Sequence, residues 1–383
     1  MLTIKKLSLL GVAAAACWLV CAPFAQAETF SDTGAAVLVW PKIVVGPDTD
    51  TVIQMTNQAA VPSAAHCFYV NANNRCTNTG LACSSSTQCE EDGFFGACLP
   101  GWIEINFDVF LTKDQPVAWS AADGFGNGDL PCPGGIGSKC SGNGGTRVPP
   151  VGETPFIGEL KCIQSDPITR LPFACNESQD SPCRNDLEGG ATITNVASGA
   201  IDPERYNAVG LRTFGKNNGD NTLVIGGPQA QAEYQPCSEV LVFNHLFDGA
   251  IDPLSDPATP GVASSELSLV PCTQDFLIQQ VPSVTAQFLV YNEFEQRFST
   301  SRLVRCLLDS PISQIDTSQP SRSIFSAAVS GTVAGQTRIT GVGGGLIGSA
   351  TLSFSSTANG TGGSAYNLNQ FADRDEADFI RIP

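Results

Sequence analysis

The sequence predicts an all-β protein made of tandem antiparallel β-sandwiches, of Ig-like or jelly-roll-like type. Three observations predict this fold class: many short segments of alternating apolar and polar residues, almost no helical periodicity, and two halves whose segments align in the same order. The 38 glycines and 25 prolines among 383 residues separate these segments throughout the chain. Many short strands without helices between them are typical of sandwiches rather than of parallel β-α-β units.

The clearest strand is IEINFDVFL, residues 103–111. Its apolar side chains are Ile103, Ile105, Phe107, Val109 and Leu111, and they alternate with polar ones. Because successive side chains of a strand point to opposite faces, this pattern predicts one buried face and one wet face. Such a strand belongs to an antiparallel sheet with a solvated side.

The first residues have the features of a secretory signal peptide. Lys5 and Lys6 precede an apolar run that ends at Val20, and Ala-Gln-Ala at 25–27 is an A-x-A cleavage site. A retained membrane anchor is the alternative, but the run is shorter than the ~20 apolar residues that span a bilayer. We therefore expect residues 1–27 to be removed, no integral membrane segment after cleavage, and a secreted, periplasmic or cell-surface protein.

The mature chain is strongly acidic. Removal of the leader leaves 18 basic residues against 37 acidic ones. Binding to a phosphate backbone by counterion release requires the opposite sign of charge. We therefore exclude nucleic acid as a main partner.

Four cysteines lie close together in the stretch CTNTGLACSSSTQCEEDGFFGAC, residues 76–98. They are Cys76, Cys83, Cys89 and Cys98. A zinc site would use closer cysteine pairs, often with histidine, and an exported chain meets an oxidising compartment in which thiols pair. The stretch therefore predicts two disulfides, with zinc as the alternative. Short cysteine-rich insertions of this kind resemble those of exported proteins of environmental Gram-negative bacteria, and this resemblance carries no function.

The two halves of the chain share short similar segments in the same order, which predicts an internal duplication. The division that follows is a signal peptide at 1–27, a first sandwich at 28–215, a connector at 216–265 and a second sandwich at 266–383. The aligned pairs are LVWP (38–41) with SLVP (268–271), VIQM (52–55) with LIQQ (277–280), AHCFYVN (65–71) with AQFLVYN (286–292), KDQP (113–116) with LDSP (308–311), PFIGELK (155–161) with SIFSAAV (323–329), GGATIT (189–194) with GSATLS (348–353), and RYNAV (205–209) with AYNLN (365–369).

Spacing between these segments predicts three insertions in the first copy. The first copy has 26, 26 and 10 more residues than the second in three successive intervals. We place the insertions at 72–100, 122–154 and 165–187, and each contains cysteines. A long loop buries little apolar surface, so disulfides would hold it in place.

The remaining cysteines suggest local bridges. Cys132 with Cys140 and Cys175 with Cys183 are close in sequence, and Cys237 with Cys272 would staple the connector. Cys67, Cys162 and Cys306 are then left over. Because the mature chain has 13 cysteines, at least one must stay unpaired or cross-link two chains.

Calcium is the one cofactor that a motif suggests. In DGFGNGD, Asp123, Asn127 and Asp129 occupy positions one, five and seven of a calcium loop. Phe125 stands at the third position, where an oxygen ligand is expected, and the glutamate at the twelfth position is absent. The alternative is a solvated acidic turn, which is favoured because Asp, Asn and Gly are ordinary turn residues.

No catalytic motif is present in the sequence. It has no G-x-S-x-G, no H-E-x-x-H and no phosphate-binding glycine loop. His66 and His245, the two histidines, could act as bases, but packed residues are the favoured interpretation. A pair of carboxylates for glycoside hydrolysis remains open among the 37 acidic residues.

The aromatic residues of the first copy allow two interpretations. Trp40, Trp102, Trp119 and Tyr69 could form a platform for carbohydrate, whereas core packing is the commoner role of such side chains. Because these residues and all three insertions lie in the first copy, we expect a binding surface there.

Two functions follow from the sequence. The leading hypothesis is a secreted, non-enzymatic structural or binding protein, similar to an adhesin, of the bacterial cell exterior. Its partner would be an extracellular protein or glycan. The alternative is a carbohydrate-active enzyme or carbohydrate-binding module on a β-sandwich scaffold.

Overall fold

The computed structural model describes residues 33–91, 94–125, 147–176, 182–195, 202–213, 215–228, 231–252, 255–316, 322–356 and 360–383. The predicted signal peptide lies outside these residues. The described chain is nearly all β, so the all-β prediction is confirmed. Its helical segments are 3-10 turns at Ser86–Cys89 and Ile312–Gln314 and one α-helical turn at Ala327–Ser330. None of these helices has the length and hydropathy that a membrane crossing needs.

Sixteen described strands precede residue 230. They are β1 Val37–Val45, β2 Thr49–Asn57, β3 Ser63–Asn71, β4 Asn74–Cys76, β5 Glu90–Glu91, β6 Phe94–Phe95, β7 Cys98–Pro100, β8 Ile103–Leu111, β9 Pro116–Ser120, β10 Phe156–Ser165, β11 Cys175–Asn176, β12 Leu187–Asn195, β13 Asp202–Asn207, β14 Val209–Leu211, β15 Lys216–Asn217 and β16 Thr222–Ile225.

The later described strands begin at residue 238. They are β17 Ser238–Leu246, β18 Val262–Pro271, β19 Gln274–Asp275, β20 Ser283–Asn292, β21 Arg297–Arg305, β22 Leu308–Pro311, β23 Ala334–Val342, β24 Leu346–Ser356, β25 Gly360–Asn367, β26 Asn369–Asp373 and β27 Asp378–Arg381.

The first region contains two antiparallel sheets around one apolar core. A five-stranded sheet has the order β14-β1-β10-β3-β8, and a four-stranded sheet has the order β13-β12-β2-β9. Both sheets contribute to the same cluster of buried side chains, and the Trp119 indole Nε1 donates to the Tyr69 hydroxyl across it at 2.7 Å. Gly189 on β12 lies against the Trp40 indole, where an added Cβ would come within 2.3 Å of a ring carbon. This close approach explains a glycine within a strand.

The second region repeats this arrangement. Its five-stranded sheet has the order β21-β20-β23-β17-β26, and its four-stranded sheet has the order β22-β18-β24-β25. A separate cluster that includes Phe243, Phe288, Leu267 and Leu269 joins the two sheets. Taken in chain order, the nine strands of each region enter the two sheets in the same sequence and occupy the same positions within them.

A third apolar cluster joins the two regions. It contains Phe68 and Ile163 from the outer side of the first five-stranded sheet, together with Phe276 and Ile380. A small sheet of β16, β27 and β19 lies in this junction. As a result, every residue of β3 is buried. Neither side of this strand is wet, because the rest of the chain covers its outer side.

The observed strands differ from the predicted division at the connector. Residues 216–265 include β17, which pairs with β23 and β26 in the second five-stranded sheet. The first residues of β18 also precede residue 266. A range that the sequence assigned to a connector therefore supplies an interior strand of the second five-stranded sheet.

The insertions lie between strands. Residues 72–100 connect β3 to β8 and include β4–β7, whereas residues 293–296 make the matching connection between β20 and β21. Residues 122–154 fall between β9 and β10, and of these 126–146 lie outside the described ranges. Residues 165–187 connect β10 to β12, and their counterpart between β23 and β24 spans 343–345.

Candidate functional site

The expectation of several disulfides is confirmed. The described bridges are Cys67–Cys162, Cys76–Cys89, Cys83–Cys98, Cys175–Cys183 and Cys237–Cys272. Cys132 and Cys140 lie outside the described residues. The bridge from Cys67 to Cys162 was not predicted, and it joins residues that pair directly across β3 and β10. Cys306 is a free, buried cysteine.

Two groups of described side chains lie close enough together to share a metal ion. They are Cys76 with Cys83 and Cys89, and Cys237 with Cys272 and Asp378. Their cysteines are in disulfides, so they offer no thiolate ligand. Of the predicted calcium ligands, Asp123 lies in an exposed turn, where its backbone N–H donates to the Ser120 hydroxyl at 3.1 Å.

The other two calcium ligands, Asn127 and Asp129, lie outside the described ranges. Calcium binding therefore stays a prediction.

Both histidines are buried and bonded. His66 Nδ1 lies 2.7 Å from Asp108 Oδ1 on the neighbouring strand. His245 Nε2 lies 2.8 Å from the Thr337 hydroxyl, and its Nδ1 lies 3.3 Å from the Leu246 carbonyl. Burial lowers the pKa of His245 to about 4, so this ring is neutral at physiological pH. A ring with both nitrogens engaged is poorly placed to act as a base.

The aromatic side chains of the first region do not form an exposed platform. Trp40, Trp119 and Tyr69 are buried in the first core, and Trp102 packs against the junction cluster. Core packing, the interpretation that the sequence favoured, accounts for all four.

One pair of carboxylates lies around a lysine at the junction. The Lys42 ammonium contacts the Glu266 carboxylate and lies 3.2 Å from Asp309 Oδ1. Burial opposes the charge on this lysine, but Asp309 and Glu266 together raise its pKa. Ser268 donates to Asp309 as well. These carboxylates hold a cation between them, so they do not flank a free cleft for glycoside hydrolysis.

The outer side of the first five-stranded sheet, which we call the covered face, carries the side chains of Val39, Phe68, Lys161 and Ile163. All four are buried. Phe68 stacks on Phe276, with ring centroids 4.0 Å apart. The Lys161 ammonium contacts Gln274 and donates to the Pro271 carbonyl at 3.0 Å. The chain itself therefore supplies both apolar and hydrogen-bonding cover.

The outer side of the second five-stranded sheet, which we call the open face, has no such cover among the described residues. Leu303, Val342 and Phe371 are 58%, 49% and 56% exposed, and no side chain of the three central rows of this face is buried. The three central rows of this face consist of Ser301, Gln287, Thr340, Val240 and Phe371, then Ser299, Leu289, Arg338, Val242 and Asn369, then Arg297, Tyr291, Gln336 and Asn244.

These rows combine apolar and cationic character. Their charged residues are Arg297 and Arg338, both exposed and neither with an ion-pair partner in the part of the chain that the structure describes. The Arg338 guanidinium lies 5.9 Å from the centre of the Tyr291 ring. The open face therefore presents positive charge in a protein of net charge −17.

Two cavities lie on this sheet. One of 910 Å³ is lined by Val240, Gln287, Leu289, Ser299, Arg338 and Thr340. The other, of 490 Å³, lies at the end of the sheet and includes His245, Tyr291 and Gln336. The sequence predicts a binding surface in the first copy, and none of its motifs points to these two cavities.

The two faces correspond residue by residue. Lys161 pairs with Val39 on one side and Phe68 on the other. Arg338 pairs with Val242 and Leu289 in the same places. Each region thus has a cation at the centre of its five-stranded sheet, buried in the first and exposed in the second. No protein-family model and no curated protein matches this chain.

Proposed function

We propose that the chain consists of two β-sandwiches related by internal duplication, and that it is an exported, non-enzymatic structural protein of the bacterial cell exterior. The shared strand order of the two regions supports the duplication. On this proposal the second sandwich begins with β17, whose place in the sheet matches that of β1. Several disulfides support export, since they persist in oxidising compartments.

Association with another copy of the chain through the open face is the activity that we assign to it. The observation that carries this assignment is the exposed Arg338, whose counterpart Lys161 is buried under polypeptide. In the covered face, carbonyl and amide oxygens meet the cation, and apolar side chains surround it. The open face presents Arg338 between apolar side chains in the same way. A segment of another copy that supplies oxygen acceptors and apolar side chains could therefore pack on it.

Charge favours a second copy as that partner. The chain has 37 acidic residues, so its other surfaces supply the carboxylates that Arg297 and Arg338 lack. Two open faces would bring their arginines together, which like charges oppose. We therefore expect the open face of one copy to bind a different, acidic surface of the next. Such a head-to-tail contact builds rings or filaments, which suits a structural protein.

The size of the face is adequate for this contact. Five strands spaced ~4.8 Å apart, each with about eight residues rising ~3.3 Å, give an area of roughly 600 Å². Each partner of a standard interface buries ~800 Å². A contact that extends slightly beyond the sheet therefore reaches the ordinary range.

Sedimentation velocity of the mature protein over a concentration series tests this proposal. We expect the average mass to rise with concentration, and Arg338→Glu to weaken association by about tenfold or more. Lys113→Glu is the matched control, since this exposed residue lies in the turn between β8 and β9. Added salt should also weaken association, because it screens exposed charges.

Two results would contradict the proposal. One is a wild-type protein that stays monomeric at every concentration, and the other is an Arg338→Glu variant that associates like the wild type. Circular dichroism of each variant shows whether the fold is retained.

A further inference from the structure

Three polar side chains meet in the junction without access to water. Lys161 and Glu159 lie two residues apart on β10 and project from the covered face, and Gln274 approaches them from β19. Their exposures are 0%, 1% and 1%. Burial of a charged lysine and a charged glutamate is costly, so a site of this kind needs a specific explanation.

The contacts among these groups place an amine, an amide and an acid in a triangle. The Lys161 Nζ contacts the Gln274 Oε1, which is bonded directly to the amide carbon Cδ. The Gln274 Nε2 donates to Glu159 Oε1 at 2.6 Å. Glu159 Oε2 lies 3.1 Å from the Lys161 Nζ. One carboxyl group therefore touches both the nucleophilic nitrogen and the nitrogen that would leave.

From this geometry we infer that Lys161 and Gln274 form an intramolecular isopeptide bond, with Glu159 as the catalytic acid and base. The lysine Nζ attacks Cδ of Gln274, and a new C–N bond forms. Glu159 takes a proton from the attacking amine and gives one to the leaving nitrogen. The Cδ–Nε2 bond breaks, and one molecule of ammonia is released. The step requires no oxidant, reductant or other reactant.

The position of Glu159 suits a group that moves protons in this site. Burial raises the pKa of Glu159, although Lys161 and Gln274 oppose this effect. Its Oε2 lies 3.1 Å from the Lys161 Nζ, so the carboxyl group is within reach of the proton that the amine must lose in the reaction. Well-oriented groups react as if at concentrations of ~10⁵ M or more, which offsets the low reactivity of an amide.

Other nearby groups are less well placed. Lys42 contacts carboxylates rather than an amide, and one of them, Glu266, is partly exposed. The Cys306 thiol is buried in the same cluster, but burial raises its pKa well above its usual value, so the thiolate is disfavoured. Among the described groups, the amine of Lys161 is the one in contact with a carboxamide that also bonds to an acid.

The bond would tie the first region to the second. Lys161 lies on the central strand of the first five-stranded sheet, and Gln274 follows β18 of the second region. The inference is independent of association through the open face, because it concerns the covered face alone.

Mass spectrometry of the reduced and denatured wild-type protein tests the inference. We expect the mature chain to be lighter than its sequence by one ammonia, and trypsin to leave the bond after Lys161 uncut. A branched peptide that joins Lys161 to Gln274 should carry the missing mass. Full sequence mass, with normal cleavage after Lys161, would overturn the inference, and so would a link at Lys42 or Cys306 instead.

Glu159→Gln is the matched variant, since it keeps the shape of the side chain and removes the acid. We expect this variant to have the full sequence mass and an unlinked Lys161. A linked Glu159→Gln protein would contradict the assigned role of Glu159. The result for the wild type decides the existence of the bond even if the variant fails to fold.

Discussion

The covered face and the open face are the same side of two five-stranded sheets with the same strand order, yet their surroundings are opposite. Lys161 in one sheet and Arg338 in the other occupy matching positions between a valine and a large apolar residue. Lys161 is sealed beneath the chain, whereas Arg338 is exposed. The strand order of the sheet therefore does not determine whether its outer side is buried; the polypeptide that packs on that side does.

On the proposed function, this difference divides the molecule into a structural half and an interacting half. A sheet buried on both sides contributes to stability through apolar contacts on each face. A sheet with one open side leaves apolar surface available to a partner.

The largest contrast is expected for the apolar residues beside the two cations. Phe68→Ala should destabilise the protein by about 3–5 kcal/mol, because a buried, stacked ring is lost. Leu289→Ala, at the matching position of the open face, should cost about 1 kcal/mol or less. Denaturant unfolding with fluorescence measures both values. Equal losses would remove the distinction between the faces.

The two basic residues themselves give the next contrast. Lys161→Met should destabilise the protein by about 3 kcal/mol or more, because the buried Glu159 and Gln274 lose their partner and the inferred bond cannot form. Arg338→Met should change the unfolding free energy by less than about 0.5 kcal/mol, since its side chain is exposed. Its effect should instead fall on association, measured by sedimentation. A strongly destabilised Arg338→Met protein would show that the open face is structural.

The inner side of the second five-stranded sheet carries a buried histidine, His245, that makes the stability of the protein depend on pH. The pKa of His245 is lowered to about 4 in the folded protein, and its ordinary value is about 6.5. Between these values the unfolded chain binds a proton that the folded chain does not, so stability falls as the pH falls.

The loss from pH 7 to pH 4 should be roughly 3 kcal/mol from this residue. His245→Gln should flatten the pH dependence relative to the wild type, as measured by urea unfolding at each pH. An unchanged slope in the variant would show that His245 makes no contribution.

The first insertion should have the smallest effect on the fold. Replacing residues 73–99 with a short turn should cost about 1 kcal/mol, since loop length changes stability slowly. The second region makes the matching connection with residues 293–296 alone. The replacement removes the ion pair of Arg75 with Glu153, whose Nη2 and Oε1 atoms lie 2.6 Å apart. We expect the variant to be exported and to unfold in a single cooperative transition, as measured by secretion and denaturant unfolding. A variant that is secreted but unfolded would show that the insertion is part of the core.

Local pattern was enough to predict strands but not their faces. The segment IEINFDVFL forms β8 with the predicted bounds, and Phe107, Val109 and Leu111 are buried as expected. Ile103 is 45% exposed instead, at the end of the strand. In β3 and β10 both faces are buried, because residues more than 100 positions later cover them. The alternation of residues within a strand contains no information about which distant segments pack on that strand.

The order of the similar segments agrees with the strand order that the two regions share, but some individual pairs do not. AHCFYVN and AQFLVYN lie on the matching strands β3 and β20, and GGATIT and GSATLS lie on β12 and β24. LVWP, however, lies on β1, whose place in the sheet matches that of β17 rather than that of SLVP on β18. A four-residue match cannot distinguish strands of similar composition.

The residues of the candidate sites come together through contacts between distant parts of the chain, which the spacing of residues in the sequence does not reveal. Cys67 and Cys162 are 95 positions apart, and their bridge follows from pairing across two strands. Lys161 and Gln274 are separated even further and meet only at the junction. Arg338 belongs to a strand with ordinary alternation of side chains. It stands out only because no described residue packs over it on the outer side of the sheet.

The most direct test of the open face uses a photo-reactive amino acid in place of Ser301, an exposed residue of its central rows. Illumination of the purified protein at associating concentrations should give covalent dimers. Peptide mapping should then join position 301 of one copy to an acidic surface outside the open face of another. Dimers absent at every concentration, or adducts confined to the same chain, would contradict the claim that this face binds a second copy.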